Sequence, residues 1–240
     1  MESDLAAALR APCRLGIIGD FHGSSKRAAR RLFLSEARPD ALLSIGDLQD
    51  YEDWPVPTFF THGNHESFAT IAAMDAGGLA PRNLQHLRDA DPLLIAGLAV
   101  AGLGGIWEAP PTSPRLLDRA AYDRLADISP DLVLSHETPI HFSNGHPDKT
   151  CEPLRTLCEV VAPRFWFSGH HHHFDVEQLG PTTIVSLGKF PHEWGLLEVG
   201  AAGELTFARF VPREPAAYER ALLGWREAAA TQKTSINREV

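Results

Sequence analysis

Short apolar runs recur along the chain, and several of them are followed at once by glycine, aspartate or histidine. Short runs bounded by such residues are typical of buried β-strands rather than of helices. The predicted strands span 15–19, 41–45, 56–61, 93–95, 98–102, 131–134, 164–167, 182–186, 195–199 and 204–211. The fourth and fifth of these lie close enough in the chain to form a hairpin.

Longer segments of mixed polarity between these strands predict helices. They cover about 24–37, 68–76, 115–126 and 215–230. Ser24 or Ser25 can cap the first helix, and Ser67 can cap the second. Gly77 and Gly78 would end the second helix.

Strands and helices alternate in the first half of the chain, which predicts a parallel sheet covered by helices on both faces. The last third is mostly strands, so antiparallel pairs are expected there. No internal repeat and no clear linker divides the chain. We therefore predict an α/β fold with a single domain over residues 1–230 and a polar, flexible tail over 231–240.

The composition is typical of a folded protein in a reducing compartment. Of the 240 residues, 44% are hydrophobic, which is enough to build a core. Cys13, Cys151 and Cys158 are too sparse, and odd in number, for a disulfide framework. The start of the chain lacks a signal-peptide pattern, and no segment approaches the ~18 apolar residues of a membrane span. We expect a cytoplasmic protein with no membrane partner.

Five short motifs rich in aspartate and histidine each follow a predicted strand. In chain order they are Asp20-Phe21-His22, Gly46-Asp47, Gly63-Asn64-His65-Glu66, Ser135-His136-Glu137 and Gly169-His170-His171-His172. Because ligands bind at the carboxyl ends of strands in open α/β sheets, we expect these side chains to share one pocket. Oxygen and imidazole donors suit two divalent transition metals, and two such metals suit phosphoester hydrolysis.

The order of these motifs resembles that of the calcineurin-like metallophosphoesterase superfamily, and the match runs from residue 20 to residue 172. The resemblance implies a four-layer αββα sandwich, in which two mixed β-sheets are flanked by helices. It also implies a centre of two Mn or Fe ions, with Zn or Ni compatible as well. The implied ligands are Asp20, His22 and His172 for the first metal, Asn64, His136 and His170 for the second, and Asp47 for both.

The same resemblance implies roles for residues beside the ligands. His65 would face the substrate and protonate the leaving oxygen, while a metal-bridging hydroxide attacks the phosphorus. In the protein phosphatase branch, a second aspartate three residues after the bridging one orients this acid histidine, and Asp50 has that spacing after Asp47. His171 and His173 adjoin the implied ligands and are expected to have other roles.

A closer resemblance is to the lariat debranching enzymes, which cleave 2′–5′ phosphodiesters in branched RNA. It rests on the segments 59–66, 102–107, 132–139 and 165–170. Asp20 stands where debranching enzymes of the typical kind carry cysteine, and the stretch 107–135 is short for their branch-recognition loop. The resemblance therefore implies a phosphodiesterase, while these two departures disfavour a lariat substrate.

Net charge and loop residues narrow the expected substrate. The formal net charge of −9 disfavours a protein that binds a long nucleic acid through many phosphates. We expect a small or locally bound phosphodiester, with the oligomeric state open. Trp107 can stack on a base or close the core, and His141 and His146 lie in a loop that is either a substrate rim or solvated surface.

Two other functions stay open. A phosphomonoesterase or nucleotide pyrophosphatase would use the same centre. A binding or scaffold protein would keep the fold without catalysis, but the complete set of implied ligands together with His65 argues against it.

Overall fold

Two β-sheets packed face to face form the centre of the molecule. The structure is a computed structural model and describes residues 4–23, 26–79, 81–141, 151–210, 212 and 217–218. Within these residues, twelve strands form two sheets of six strands each. Both sheets contain parallel and antiparallel pairs, so both are mixed.

The first sheet is built around four parallel strands. In spatial order its strands are β12 (Leu205–Phe210), β11 (Trp194–Val199), β1 (Cys13–Ile18), β2 (Ala41–Ser44), β3 (Thr58–Phe60) and β4 (Leu84–His86). Strands β1 to β4 are parallel, and β11 runs antiparallel to both β1 and β12. The carboxyl ends of β1, β2 and β3 therefore meet at one edge of this sheet.

The second sheet has a similar parallel centre with an antiparallel strand at each edge. In spatial order its strands are β5 (Leu93–Ile95), β6 (Leu98–Leu103), β7 (Leu132–Ser135), β8 (Phe165–Ser168), β10 (Thr182–Ser186) and β9 (Asp175–Leu179). The predicted hairpin is β5 and β6, joined by Ala96 and Gly97. Both turn residues have positive φ angles, which matches the twist of a tight two-residue hairpin.

Helices flank the two sheets. Within the described residues they are α1 (Asp4–Ala7), α2 (Arg27–Ala37), α3 (Phe68–Asp75), α4 (Arg119–Ala126) and α5 (Glu152–Val161). Helices α2 and α3 pack on the first sheet, and α4 and α5 pack on the second. Helix α1 contributes to the apolar cluster between the sheets, next to β5.

The alternation of side chains along the buried strands produces the layers, because successive residues point to opposite faces. In β1, Ile17 packs between the sheets, whereas Ile18 packs on the outer side with α2 and α3. In β7, Leu132 packs between the sheets, whereas Val133 packs against α4 and α5. The result is a four-layer αββα sandwich of two mixed sheets, so the predicted fold is confirmed.

Four observed elements are missing from the prediction: α1, β4, α5 and β9. The signal for α5 is present, because Leu154, Leu157, Cys158 and Val161 are buried at the spacing of an amphipathic helix. Strand β9 is an edge strand with partly exposed residues, and β4 is only three residues long. Both are formed by pairing with a neighbouring strand more than by local preference.

The predicted helix over 215–230 and the tail over 231–240 lie almost entirely outside the described residues.

The three cysteines are free and buried, and burial raises the pKa of Cys151 and Cys158 to about 12. These thiols therefore pack in the core in their neutral form. In the part of the chain that the structure describes, no helix combines the length and apolar content needed to cross a membrane.

Candidate metal centre

Five strand ends from the two sheets meet at one place in the molecule. Strands β1, β2 and β3 of the first sheet lead into the first three motifs, and β7 and β8 of the second sheet lead into the last two. Backbone hydrogen bonds join these loops. The N–H of His22 donates to the carbonyl of Asp47 at 2.7 Å, and the N–H of Gly169 donates to the carbonyl of His136 at 3.2 Å.

The backbone turns sharply at the predicted ligands. Five of them have positive φ angles between 52° and 65°, although none is glycine: Asp20, His22, Asp47, His170 and His172. For a residue with a side chain, this left-handed conformation costs about 1–2 kcal/mol. Strain of this kind clusters at functional sites, where the surrounding structure holds it in place.

Two glycines leave room for the side chains that fill the site. A Cβ atom on Gly63 would overlap Asp47 Oδ1, and a Cβ atom on Gly46 would overlap His136 Nδ1. Gly46 also has a φ angle of +105°, a conformation that residues with side chains rarely adopt. Gly46 and Gly63 therefore let a ligand side chain from another segment approach the backbone.

The first donor group consists of Asp20, His22 and His172, whose ligand atoms all lie within 4.8 Å of one another. His172 Nε2 lies 2.9 Å from Asp20 Oδ1, and His22 Nε2 lies 3.7 Å from the same oxygen. Asp20 Oδ2 and His22 Nε2 are buried and have no hydrogen-bond partner among the described residues. Because buried polar atoms are nearly always paired, these two atoms fit a bound cation.

The second donor group is organised by a backbone carbonyl. His136 Nδ1 donates to the carbonyl oxygen of Ile45 at 3.0 Å, which fixes the ring so that Nε2 points into the site. Nε2 faces Asn64 Oδ1 at 2.9 Å and Asp47 Oδ2 at 3.7 Å. Three acceptor atoms thus converge in a fully buried place, and a divalent cation would be attracted to all three.

His170 lies beside His136, with ring centroids 5.1 Å apart, but it also belongs to a third donor group. In that group Glu137, His170 and His171 bring ligand atoms within 4.8 Å of one another. Glu137 Oε1 lies 3.2 Å from His171 Nε2, and its Oε2 accepts from the N–H of Trp107. Glu137 therefore holds His171 on the outer side of His170.

The electrostatics of the site keep His22 and His170 neutral and Asp20 ionised. Burial, with a further contribution from Lys189, lowers the pKa of His22 to about 4. Burial and the neighbouring His136 lower the pKa of His170 to about 4. Burial opposes the charge on Asp20, but the hydrogen bond from His172 and the surrounding imidazoles hold the pKa of Asp20 below its ordinary value. At neutral pH the lone pairs of His22 and His170 are therefore available to a metal.

Comparison with known proteins agrees with this geometry. Residues 13–174 match the family model of the calcineurin-like phosphoesterases. The chain belongs to this family. The family resemblance predicted from the five motifs is therefore confirmed.

The chain is also similar to curated lariat debranching enzymes. It is 28% identical to that of Saccharomyces cerevisiae over an alignment 200 residues long, which covers 65% of this chain and 49% of the yeast protein. It is 25% identical to that of Entamoeba histolytica over an alignment 193 residues long, which covers 65% of this chain and 54% of the other. The chain therefore spans about half the length of these relatives.

A solved structure shares the fold without close sequence similarity. GAP50, the anchor in the inner membrane complex of Plasmodium, aligns with a TM-score of 0.58 at 12% identity over 84% of this chain and 86% of that one. A likeness of this kind shows the fold alone.

Within this calcineurin-like phosphoesterase, His65 lies at the mouth of the donor groups. Its side chain is exposed, and its ring centroid lies 5.9 Å from that of His22. Its backbone N–H donates to Asp47 Oδ1 at 2.8 Å. The imidazole is thus free to meet a ligand from solvent, while the backbone is fixed to the predicted bridging carboxylate.

Glu66, the next residue, was not among the predicted site residues, yet it organises the loop after β2. Its carboxylate accepts from the backbone N–H groups of Leu48 and Gln49 at 2.8 and 3.1 Å, and from the hydroxyl of Tyr51. The loop that carries Asp47 is thereby tied to the loop that carries Asn64. The position of Glu66 directly after the third motif is the signal that points to it.

The predicted role of Asp50 as the partner of His65 is wrong in this structure. Both carboxylate oxygens of Asp50 are bound by Arg27, and Arg30 Nη1 lies 3.2 Å from Oδ2. The side chain of Arg30 is 7% exposed and packs over the ring of Trp54 at 4.1 Å. Asp50 therefore anchors α2 to the loop after β2, because two arginines of α2 form ion pairs with its carboxylate.

The loop side chains that were predicted to contact the substrate mostly contact other residues of the protein. The ring of Trp107 lies under the guanidinium of Arg119 at 3.2 Å and beside Tyr122, so the structure favours its core-closing alternative. His141 Nε2 lies 3.1 Å from Glu152 Oε1 at the start of α5. His146 lies outside the described residues.

Removing the charge of Asp50 should destabilise the fold. In Asp50→Asn the buried Arg30 loses its charged partner, and we expect the free energy of unfolding to fall by about 3 kcal/mol. Asp53→Asn is the matched control, because Asp53 pairs with Arg82 at the surface and its loss should cost less than about 1 kcal/mol. Urea unfolding measures both variants, and an Asp50→Asn protein as stable as the wild type would contradict the anchoring role.

Proposed function

We propose that this chain is a metal-dependent phosphodiesterase with a dinuclear centre. The observation that carries the proposal is the position of one atom, because Asp47 Oδ2 lies 3.8 Å from His22 Nε2 and 3.7 Å from His136 Nε2. A single buried carboxylate oxygen thus faces one imidazole of each donor group. That position supports Asp47 as the ligand shared by two ions.

Asp20, His22 and His172 of the first donor group would hold the first ion, and Asn64 and His136 of the second donor group would hold the second. His170 would complete the second set, as the family resemblance implies, because its ring lies beside that of His136. The unpaired atoms Asp20 Oδ2 and His22 Nε2 support this assignment, since a cation satisfies both. Mixed carboxylate, amide and imidazole donors suit Mn or Fe, and these are the native ions that we propose.

The reaction that this arrangement favours is hydrolysis of a phosphoester. Two divalent ions in the site would neutralise phosphate oxygens and lower the pKa of a water molecule to near neutral. The chain itself supplies the proton for the leaving alkoxide, and His65 is the residue in position to donate it, because its exposed ring adjoins the first donor group. The hydrogen bond from the backbone N–H of His65 to Asp47 Oδ1 holds the proposed acid next to the proposed metal centre.

A diester substrate is favoured over a monoester by the debranching relatives, whose name describes cleavage of a lariat. The lariat itself is not proposed, because the chain spans about half of those proteins and the stretch 107–135 is short. A net charge of −9 further favours a small or locally bound diester over a long strand.

Asp47→Asn tests the shared ligand. The variant keeps an oxygen that accepts from His65 N–H but loses the charge that both ions need, so we expect it to lose most bound metal and nearly all activity. Elemental analysis after gel filtration measures the metal, with Asp53→Asn as a surface control that should retain two ions per chain. Two fully occupied metals in Asp47→Asn would refute the assignment.

His65→Ala separates the proton transfer from metal binding. Both ions should stay bound, while the rate on diesters with alkoxide leaving groups should fall roughly 10²–10⁴-fold. The loss should shrink with bis(p-nitrophenyl) phosphate, whose leaving group needs no proton. Steady-state rates on both substrates test this, and an equal loss on the two would count against His65 as the acid.

A further inference from the structure

A cavity opens directly beside His172, which is a predicted ligand of the first metal. It has a volume of about 460 Å³. Its lining includes His172, Lys189, His192, Glu193 and Arg209, and Phe174 forms part of the wall. His172 therefore borders both the first donor group and this cavity.

The charges in this cavity are not balanced. Arg209 is already engaged, because its guanidinium pairs with Glu193 and lies 4.3 Å over the ring of Phe174. Lys189 has no carboxylate partner within the part of the chain that the structure describes. His192 is exposed and offers ring nitrogens that can donate a hydrogen bond. The cavity therefore presents one uncompensated ammonium to a ligand.

The position of Lys189 is fixed relative to the donor groups. The next residue, Phe190, is fully buried, and its N–H donates to the carbonyl of Gly19 at 3.0 Å. Its carbonyl accepts from Lys26 Nζ, which also donates to the carbonyl of Asp20 at 3.0 Å. The backbone that carries Lys189 is thus tied to the loop that carries Asp20. The effect of the Lys189 charge on the pKa of His22 shows the same proximity.

We propose that this cavity binds a second phosphate of the substrate, one linkage away from the phosphodiester that is cleaved. The inference rests on the proposed function and specifies its substrate class, which is a short phosphodiester with a terminal phosphate rather than a simple dinucleoside monophosphate. The ammonium of Lys189 supplies the charge and His192 supplies a hydrogen bond. A stacked base is disfavoured, because Arg209 covers the available face of Phe174.

The test compares three substrates that differ only in a terminal phosphate: ApA, its 5′-phosphorylated form pApA and its 3′-phosphorylated form ApAp. With the metal-loaded full chain, we expect one phosphorylated form to be hydrolysed with a kcat/KM about 10-fold above that of ApA. Lys189→Ala should abolish this preference by raising KM for the phosphorylated form far more than KM for ApA. Lys189→Arg should retain most of it, since the charge is kept.

The matched control is Arg164→Ala, which removes one positive charge at the amino end of β8, the end of the strand opposite to the site. Its kcat/KM on each of the three substrates should equal that of the wild type. Thermal unfolding reports whether each variant is folded, and Lys189→Gln takes the place of Lys189→Ala if the latter does not fold.

The outcomes separate the two proposals. Hydrolysis of ApA and both phosphorylated forms at equal rates, or an equal loss on all three in Lys189→Ala, would overturn the second-phosphate site and leave the phosphodiesterase proposal intact. If none of the three is hydrolysed, calorimetric binding of pApA and ApAp decides. Binding of either that weakens about 10-fold in Lys189→Ala supports the cavity, and binding that does not change contradicts it.

Discussion

The structure depends on one electrostatic constraint, which is that several buried acceptor atoms face one another at the meeting point of two sheets. Asp47 Oδ2, His136 Nε2, Asn64 Oδ1 and the carboxylate of Asp20 lie within a few ångströms, largely out of contact with water. Such an arrangement is unfavourable unless a positive charge lies among them. A cation bound at this point would relieve the repulsion between these atoms.

The rest of the fold supports that arrangement. Parallel strands bring their carboxyl ends to the same edge of each sheet, and the stacking of two such sheets brings two edges together. Left-handed corners turn the side chains inward, and Gly46 and Gly63 leave space for ligands from the neighbouring loops. Glu66 and Glu137 then tie the loops to one another. The strained backbone is tolerated because the apolar layers on both sides of each sheet hold the strand ends in place.

Much of this was accessible from the sequence, because the determining features are local. Buried strands followed by donor residues predicted most of the β-strands and placed the five motifs at strand ends, whereas the family resemblance implied the four layers and the seven proposed ligands. Asp50 shows where local reasoning fails, since its partners Arg27 and Arg30 come from α2, which is separated from Asp50 in the chain by β2. The same holds for β9, which depends on pairing with β10, and for the cavity at Lys189, which joins residues from three separate segments. By contrast, α5 had a clear helical spacing of apolar residues that pattern reasoning can detect.

The proposal that two ions share Asp47 can be tested by a Mn²⁺ titration of the metal-free full chain, followed by electron paramagnetic resonance. Ions that share a bridging carboxylate lie a few ångströms apart and couple magnetically. We expect two Mn²⁺ ions to bind per chain and the spectrum at saturation to be that of a spin-coupled pair. A single ion per chain, or two ions with the spectrum of isolated Mn²⁺, would contradict it.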